Sequence, residues 1–407
     1  MKSKLEKTFL NTPFCIMVLF AILHMAEYVR FEIAGEVVTL SAINKMASMI
    51  YLGMIYLWAL FVNRKWWIRI VAIVMGALSV CGIVISLNDF GHTINDLLCA
   101  GDAVLTLLYV FENAQYLMAL VKKYDKYLTV AIWSFVVFPV ILFIFFPNQQ
   151  HQWGKGTFFF GHKYASVLCL EIILVGLKLM NRPKKSWIYW CILFVCYYLC
   201  FWTGARVYML AGLGQIYGLL YVFRCNNKDF IIKCVIVTLA VLLFYSTSSA
   251  SQKVENIQYN WISSMPAESK IDSLGQGRLT FWKKGIACYQ NLPVPNKLLG
   301  SGNRYLYSHI LLQDGSEIHT HNDYLNILHF NGAIGLLIYL SIFLVYVAIY
   351  WKRNRLPVVL LIGFWGTWFV LAALNGYAHY TANMMSVPYF AVLALFERET
   401  IVNEEYV

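Results

Sequence analysis

The sequence predicts an all-α membrane protein, a polytopic bundle of about 12 transmembrane helices with one large extracytoplasmic loop between helices nine and ten. Three observations lead to this prediction. Of the 407 residues, 60% are hydrophobic and only 13% are charged, whereas a soluble domain carries roughly 25% charged residues. Apolar runs of about 18–25 residues recur along the chain, each long enough to cross the hydrocarbon core as a helix. The aromatic fraction is 16%, which fits because Trp and Tyr collect at membrane interfaces.

Twelve apolar spans fit this pattern, with boundaries defined to about four residues. The first span is interpreted as a membrane helix and not as a signal peptide, because no small-residue cleavage site follows it. The spans lie near residues 9–28, 44–62, 67–87, 98–120, 127–146, 163–181, 186–203, 206–223, 230–247, 323–350, 357–376 and 384–397.

The distribution of basic residues predicts the orientation. With the N-terminus in the cytoplasm, the basic connections NRKWWIR, VKKYDKY, NRPKK, RCNNKD and WKRNR all fall on the cytoplasmic side. The short connections on the other side contain almost no Lys or Arg. We therefore expect both termini in the cytoplasm. The same clustering accounts for the net charge of +11, so nucleic acid is not an expected partner.

One connection is much longer than the others and divides the chain into three parts. Residues 1–247 hold helices one to nine, residues 248–322 form the extracytoplasmic loop, and residues 323–407 hold helices ten to twelve with a short cytoplasmic tail. A loop of this length is usually functional or disordered. Its aromatic and apolar content predicts that it is partly helical and folds against the membrane domain.

The stretch GRLTFWKKGIACYQ in this loop predicts a short amphipathic helix. Leu279, Trp282, Ile286 and Tyr289 share one face at spacings of three and four. Pro293 and Pro295 are expected to stop this helix.

Arg278 and Trp282 lie one helical turn apart in this stretch. Arg278 falls near a helix N-terminus, where free backbone N–H groups and a guanidinium together favour a phosphate or diphosphate. The alternative is a solvated loop arginine beside an interfacial tryptophan.

The segment HTHND places polar groups where the loop enters span ten. A neutral imidazole at His321 is a candidate general base toward a hydroxyl or a hydrogen-bond donor to phosphate, and Asp323 is a candidate to orient it. The same two roles are considered for His319, whose position makes it the weaker candidate. The alternative is that these residues are polar only because they lie at the membrane interface, and that Asn322 or Asp323 caps the N-terminus of the helix. His329, inside the span, is expected to pack or to form a local hydrogen bond.

Two further sites carry cations near the outer side. Arg206 lies at the outer end of span eight, where an arginine is either functional or extends to the interface. His162 and Lys163 precede span six, and the alternative there is ordinary loop charge. No D-x-D or adjacent Asp pair occurs on the outer face, so we expect no divalent metal site and no cofactor.

Together these segments resemble the O-antigen ligase and polymerase superfamily of bacterial envelope glycosyltransferases. HNDYLNILHFNGAIGLLIYL is similar to the family's run of His-Asn, Tyr-Leu and a Gly-x-x-Gly helix. GTFFFGHKYASVL looks like a shorter motif that usually reads Gly-x-His-Pro-Asn. Here HKY stands in its place, which puts any role of the Asn in doubt. The resemblance covers about residues 150–345 and is specific over 275–340.

The resemblance implies a glycosyltransferase in the cytoplasmic membrane of a bacterium, acting at its outer face on an undecaprenyl-diphosphate-linked oligosaccharide. Arg206 and Arg278 would stabilise the diphosphate leaving group in place of a metal, and His321 would orient or deprotonate the acceptor hydroxyl. Direct displacement would invert the anomeric centre. The other candidate substrate-binding residues are His162, Lys163, Trp282, His319 and Asn322.

Three functions stay open at this point. The first is a polymerase that joins lipid-linked repeat units into a capsule, exopolysaccharide or O-antigen chain. The second is a ligase that moves finished glycan onto lipid A, a wall polymer or a protein. The third is a flippase or transporter for lipid-linked sugars, against which the long outer loop argues. Whether a chain-length regulator protein is a partner also stays open.

Overall fold

The computed structural model describes most of the chain, and the great majority of the described residues are helical, which confirms the helical fold class. One addition was not predicted, an antiparallel hairpin of β1 (Arg30–Ile33) and β2 (Glu36–Thr39). Its β-branched and aromatic residues favour strands. The described residues are 7–8, 10–16, 19, 30–33, 36–39, 41–85, 90–145, 161–202, 206–247, 278–302, 320–352, 357–375 and 386–404.

Among the described residues, eight helices with complete bounds precede the long loop, at the positions of predicted spans two to nine, and helical residues at 7–8, 10–16 and 19 lie at the position of span one. The first ends in a π-helical turn, Trp58–Val62. The helices are α1 (Ser41–Leu57), α2 (Trp66–Ile85), α3 (Phe90–Lys123), α4 (Asp125–Phe145), α5 (Gly161–Met180), α6 (Ser186–Trp202), α7 (Arg206–Val222) and α8 (Asn227–Thr247).

The described residues from 278 onward form seven more helices. Two belong to the loop, α9 (Arg278–Gln290) and α10 (Val294–Leu299). The others are α11 (Asp323–Phe330), α12 (Gly332–Lys352), α13 (Val358–Leu360), which continues through a π-helical segment (Leu361–Gly366) into α14 (Thr367–Asn375), and α15 (Ser386–Glu404).

Three of these helices are long and apolar enough to cross a membrane, by length and composition: Ala100–Lys123, Asn227–Thr247 and Gly332–Ile349. Four shorter apolar helices lie at 46–62, 66–82, 186–201 and 358–374. The apolar side chains of α8 are exposed on several sides, which suits a helix surrounded by lipid. These exposed residues are Ile231, Ile232, Val235, Ile236, Leu239, Leu242 and Leu243. The chain is therefore a membrane protein, and twelve crossings remain the prediction.

Helix α3 lies at the centre of the bundle, and its residues 100–110 are buried on every side. It packs against α1, α2 and α15. Ion pairs connect helix ends near the predicted cytoplasmic side. Lys122 pairs with Glu399 at 2.7 Å, and Lys178 pairs with Asp125.

Helix α7 packs closely against the π-helical segment and α14 because both surfaces carry small residues. A Cβ atom at Gly363 would lie 2.6 Å from the carbonyl oxygen of Gly214. The hydroxyl of Thr367 is 3.4 Å from the carbonyl oxygen of Ala211. Small residues of this kind let helix backbones approach in membrane bundles.

The sequence predicted one continuous helix over 323–350, and this is wrong. The helix breaks at Asn331, which separates α11 from α12, and Gly332 has a φ of +69°. Glycine adopts this left-handed conformation at no steric cost. The break therefore gives α11 its own direction, which brings it against the loop helix α9.

Candidate functional site

Helix α9 covers Arg278–Gln290, as the sequence predicted. The side of α9 that is buried differs from the apolar face that the sequence predicted. The buried side contains Gly285 and Cys288, whereas Ile286 of the predicted face is 46% exposed. Gly285, which has no side chain, allows the backbone of α9 to approach α11. Burial raises the pKa of the Cys288 thiol, so this thiol stays protonated.

The two prolines after α9 end one helix and begin another. Helix α10 starts at Val294, and Pro295 lies in its first turn, where proline's missing N–H costs nothing. The sequence predicted that these prolines end α9, and it did not predict the helix that begins at Val294.

A hydrogen bond joins the Arg278 helix to the segment that carries His321. The indole N–H of Trp282 donates to the carbonyl oxygen of Thr320 at 3.0 Å, across 38 positions of sequence. Arg278 is the first residue of the same helix and is half-buried, as are Trp282 and His321. The structure therefore brings the loop helix and the His321 segment together.

His321 has a left-handed backbone conformation, with a φ of +51°. This conformation is uncommon for a residue with a side chain and costs on the order of 1 kcal/mol. Polar contacts on both sides hold it. The Asn322 amide donates to the Thr320 hydroxyl at 3.2 Å, and that hydroxyl donates to the side-chain oxygen of Asn326 at 2.6 Å. His321 is thus fixed by its neighbours before any ligand arrives.

Asn322 caps helix α11. Its side-chain oxygen accepts a hydrogen bond from the Leu325 amide at 3.0 Å, and the residue is 9% exposed. This is the capping role that the sequence analysis left open for Asn322 or Asp323, and it satisfies one of the free amides of the first turn.

A second contact joins α9 to α11 one helical turn further along. Nε2 of His329 lies 2.8 Å from the carbonyl oxygen of Gly285, so this nitrogen carries the proton that is donated. The ring of Tyr289 packs edge-on against the imidazole at 5.7 Å. The sequence predicted packing or a local hydrogen bond for His329, and the partner is instead 44 positions away.

Helix α10 is held to the α11–α12 break by backbone contacts. The Ser301 amide donates to the carbonyl oxygen of His329 at 2.7 Å, and the Tyr289 hydroxyl donates to that of Lys297 at 2.9 Å. Burial raises the pKa of Tyr289, so its hydroxyl keeps the proton it donates. A Cβ atom at Gly332 would lie 2.2 Å from the Leu298 carbonyl oxygen. Helices α9 to α12 therefore form one packed unit.

Arg206 is the first described residue of α7 and is half-buried. Contacts of α7 with α13–α14 pair Gly214 with Gly363 and Ala211 with Thr367, so the two elements run antiparallel. Arg206 lies about 7 Å along the axis beyond Ala211, at 1.5 Å per residue. It therefore lies toward the C-terminal end of α14.

Helix α11 contacts α14 nearer the start of that helix, where the Tyr324 hydroxyl donates to the carbonyl oxygen of Phe369 at 3.3 Å. Helix α14 thus packs against both α7, which begins at Arg206, and α11, which belongs to the unit that holds His321 and Arg278.

The remaining candidates are placed less completely. His162 and Lys163 lie in the first turn of α5, and their side chains are outside the described part of the chain. His319 lies outside the described residues. Of the carboxylates within spans, Glu112 pairs with Lys65 at 2.7 Å. Asp102 and Glu171 are 2% and 0% exposed, in the first half of the bundle.

Sequence reasoning missed Thr320, Asn326 and Gly285 as parts of the site. Thr320 stands between the two histidines of the motif and looks like a spacer. Asn326 has a signal, because it lies one turn after Asn322 and stands between the apolar residues Leu325 and Ile327. Gly285 has none, since its role depends on a partner far away in sequence.

A helical membrane protein with a packed loop unit at one end is the class that these observations define. A sequence model described as O-antigen ligase, Wzy_C, matches residues 187–340. This match confirms the resemblance to the O-antigen ligase and polymerase superfamily, and it includes Arg206, Arg278 and His321. Members are glycosyltransferase-like enzymes that act on lipid-linked glycans. No curated protein matches the chain.

Proposed function

We propose that this protein is a polysaccharide polymerase that transfers glycan from a lipid-diphosphate donor to a sugar hydroxyl of another lipid-linked repeat unit. The observation that carries the proposal is the hydrogen bond from Trp282 to Thr320, because it couples a candidate diphosphate-binding arginine to a candidate base. The undecaprenyl identity of the lipid comes from the family resemblance.

In this proposal Arg278 and Arg206 bind the diphosphate. Negative charge grows on the leaving group as the glycosidic bond breaks, and fixed guanidinium groups stabilise it without reorganisation. Arg278 begins a helix of 13 residues, so backbone amides of the first turn add donors for the same anion. The donor carries its own activation, and no nucleotide enters the reaction.

His321 orients or deprotonates the acceptor hydroxyl as it attacks the anomeric carbon. The bond from the anomeric carbon to the diphosphate oxygen breaks, the new glycosidic bond forms, and the proton passes from the hydroxyl to the imidazole. One displacement of this kind inverts the anomeric centre. The constrained backbone at His321 supports this role, because strained residues persist where the surroundings fix them and are common at active sites.

A ligase is the second candidate, since the matching family description carries that activity. The two functions share donor chemistry and differ in the acceptor. Deletion of the gene distinguishes them. A strain that stops at single repeat units supports the polymerase, whereas long polymer left on the carrier lipid supports the ligase and contradicts our choice.

A further inference from the structure

The outward surface of the loop helices α9 and α10 combines exposed apolar side chains with cations. Ile286, Val294, Leu298 and Leu299 are 46%, 67%, 46% and 40% exposed. Lys283 and Lys284 are also exposed. We call these six residues the α9–α10 surface. Water-facing helices rarely leave this proportion of large apolar side chains uncovered.

The charge of this segment is of one sign. Residues 278–302 contain Arg278, Lys283, Lys284 and Lys297 and no Asp or Glu. An apolar surface edged by lysines matches the composition of the bilayer interface, where acyl chains meet anionic phosphates.

The position of α10 agrees with this reading. It packs against α2 and α12, both of which are apolar helices. Val80 on α2 and Leu337 on α12 are 58% and 63% exposed, so these two helices present apolar side chains outward. The end of the apolar bundle and the α9–α10 surface therefore belong to one continuous part of the molecule.

We propose that the α9–α10 surface binds the membrane interface, with Val294, Leu298 and Leu299 among the acyl chains and Lys283 and Lys284 on anionic phospholipid headgroups. This contact goes beyond glycan transfer, although it rests on the same loop unit. It holds α9 at the level of lipid phosphates, where Arg278 begins the helix.

The test uses the full-length protein in nanodiscs that contain phosphatidylcholine and phosphatidylglycerol, with p-benzoylphenylalanine placed at position 294 or, separately, 298. After illumination, lipid adducts are quantified by mass spectrometry. The same photoprobe at Lys184, an exposed polar position in the turn between α5 and α6 and outside the α9–α10 surface, is the control. We expect adducts at 294 and 298 to exceed those at 184 several-fold.

Phosphatidylglycerol, supplied as a minor share of the lipid, should be enriched among the adducts at least about fivefold over that share, because one lysine near the surface contributes about 1 kcal/mol. The double variant Lys283→Ala, Lys284→Ala should bring the ratio to the bulk value. Equal adducts at 184 and 294, no phosphatidylglycerol enrichment, or crosslinks to a second protein chain would each overturn the proposal. No glycan substrate is present, so the result is independent of the proposed reaction.

Discussion

The indole N–H of Trp282 donates a 3.0 Å hydrogen bond to the carbonyl oxygen of Thr320, the residue immediately before His321. This bond links a helix of the loop to the start of a helix of the membrane domain. Trp282 therefore positions the His321 backbone, and the indole nitrogen is used for that purpose.

Trp282→Phe keeps an aromatic side chain, although a smaller one, and removes the donor. A neutral hydrogen bond contributes about 1 kcal/mol, so we expect kcat for glycan transfer to fall about fivefold while KM changes little. Elongation rates over a range of lipid-linked substrate concentrations measure both. Trp66→Phe is the control, because Trp66 is 70% exposed. A rise in KM with unchanged kcat would show that Trp282 contacts substrate and would contradict the positioning role.

Arg278→Ala should reduce transfer by roughly 100-fold, which is the usual effect of removing one donor to a developing negative charge. Arg278→Lys should recover part of the activity, since it keeps the charge and loses the bidentate geometry. The measurement is polymer formed from lipid-linked repeat units. Lys184→Ala, which removes an exposed cation elsewhere, should keep normal activity. Full activity in Arg278→Ala would remove this residue from the site.

His329→Leu should loosen α9 from α11, because the Gly285 carbonyl then loses the imidazole donor. A lost partner in a buried site costs about 1–3 kcal/mol. Trypsin cleavage after Lys283 and Lys284 should accelerate, since cleavage needs local opening of the helix. Gln290→Ala, at an exposed position, serves as control. Unchanged cleavage in His329→Leu would indicate that other contacts hold α9 in place.

Gly332→Ala should lower the melting temperature, because its Cβ would lie 2.2 Å from the Leu298 carbonyl oxygen at a φ of +69°. We expect a loss of roughly 2–3 kcal/mol from strain and displaced backbone. Gly53→Ala is the matched control, since nothing lies within 4 Å of its Cβ. That helical position should gain up to about 1 kcal/mol. Equal melting temperatures for the two variants would contradict the close packing of Gly332 against the Leu298 backbone.

The contacts of Asp125 predict that the stability of the folded protein depends on pH. Although burial raises the pKa of Asp125, the hydrogen bonds from Lys178 and Asn181 outweigh it and lower that pKa below its ordinary value of 3.8. A group with a lowered folded-state pKa stabilises the fold above its unfolded pKa, and this contribution disappears as the pH falls through the folded pKa.

Melting temperatures of the wild-type protein and Asp125→Asn, measured from pH 7 to pH 3, test this. The Asp125 side chain is 38% exposed, so solvent screens the interaction, and the wild-type protein should be more stable at pH 7 by about 0.5–1 kcal/mol. This difference should begin to shrink as the pH falls below 3.8. A stability difference between the two proteins that increased on acidification would have the opposite sign and would contradict the lowered pKa of Asp125.

The sequence was sufficient to predict the helical fold and most helix positions, because the length of the apolar runs and the charge of the connections depend on local composition. It predicted α9 and a helix that begins at Asp323, and it left open whether Asn322 or Asp323 caps that helix. It failed at the break after Phe330, where the glycine at 332 takes its conformation from contact with Leu298 in another element. The His329–Gly285 contact was missed for the same reason.

The charged residues of the candidate site could be predicted from the sequence. The residues that hold them in place could be predicted less well. Arg278 and His321 stand out because cations and imidazoles are costly beside lipid. Thr320 and Asn326 act through hydrogen bonds that form only when the chain turns at His321. The close packing of α7, which begins at Arg206, against α14 depends on contacts between distant glycines, which glycine spacing alone does not reveal.

The most direct test of the account is elongation of a lipid-diphosphate oligosaccharide by the purified protein, with a metal chelator present and no nucleotide. We predict that the wild-type protein makes polymer of inverted anomeric configuration, and that Arg206→Ala, Arg278→Ala and His321→Ala each lose most of this activity while remaining folded. Full elongation by all three variants, or elongation that requires an added divalent metal or nucleotide, would contradict it.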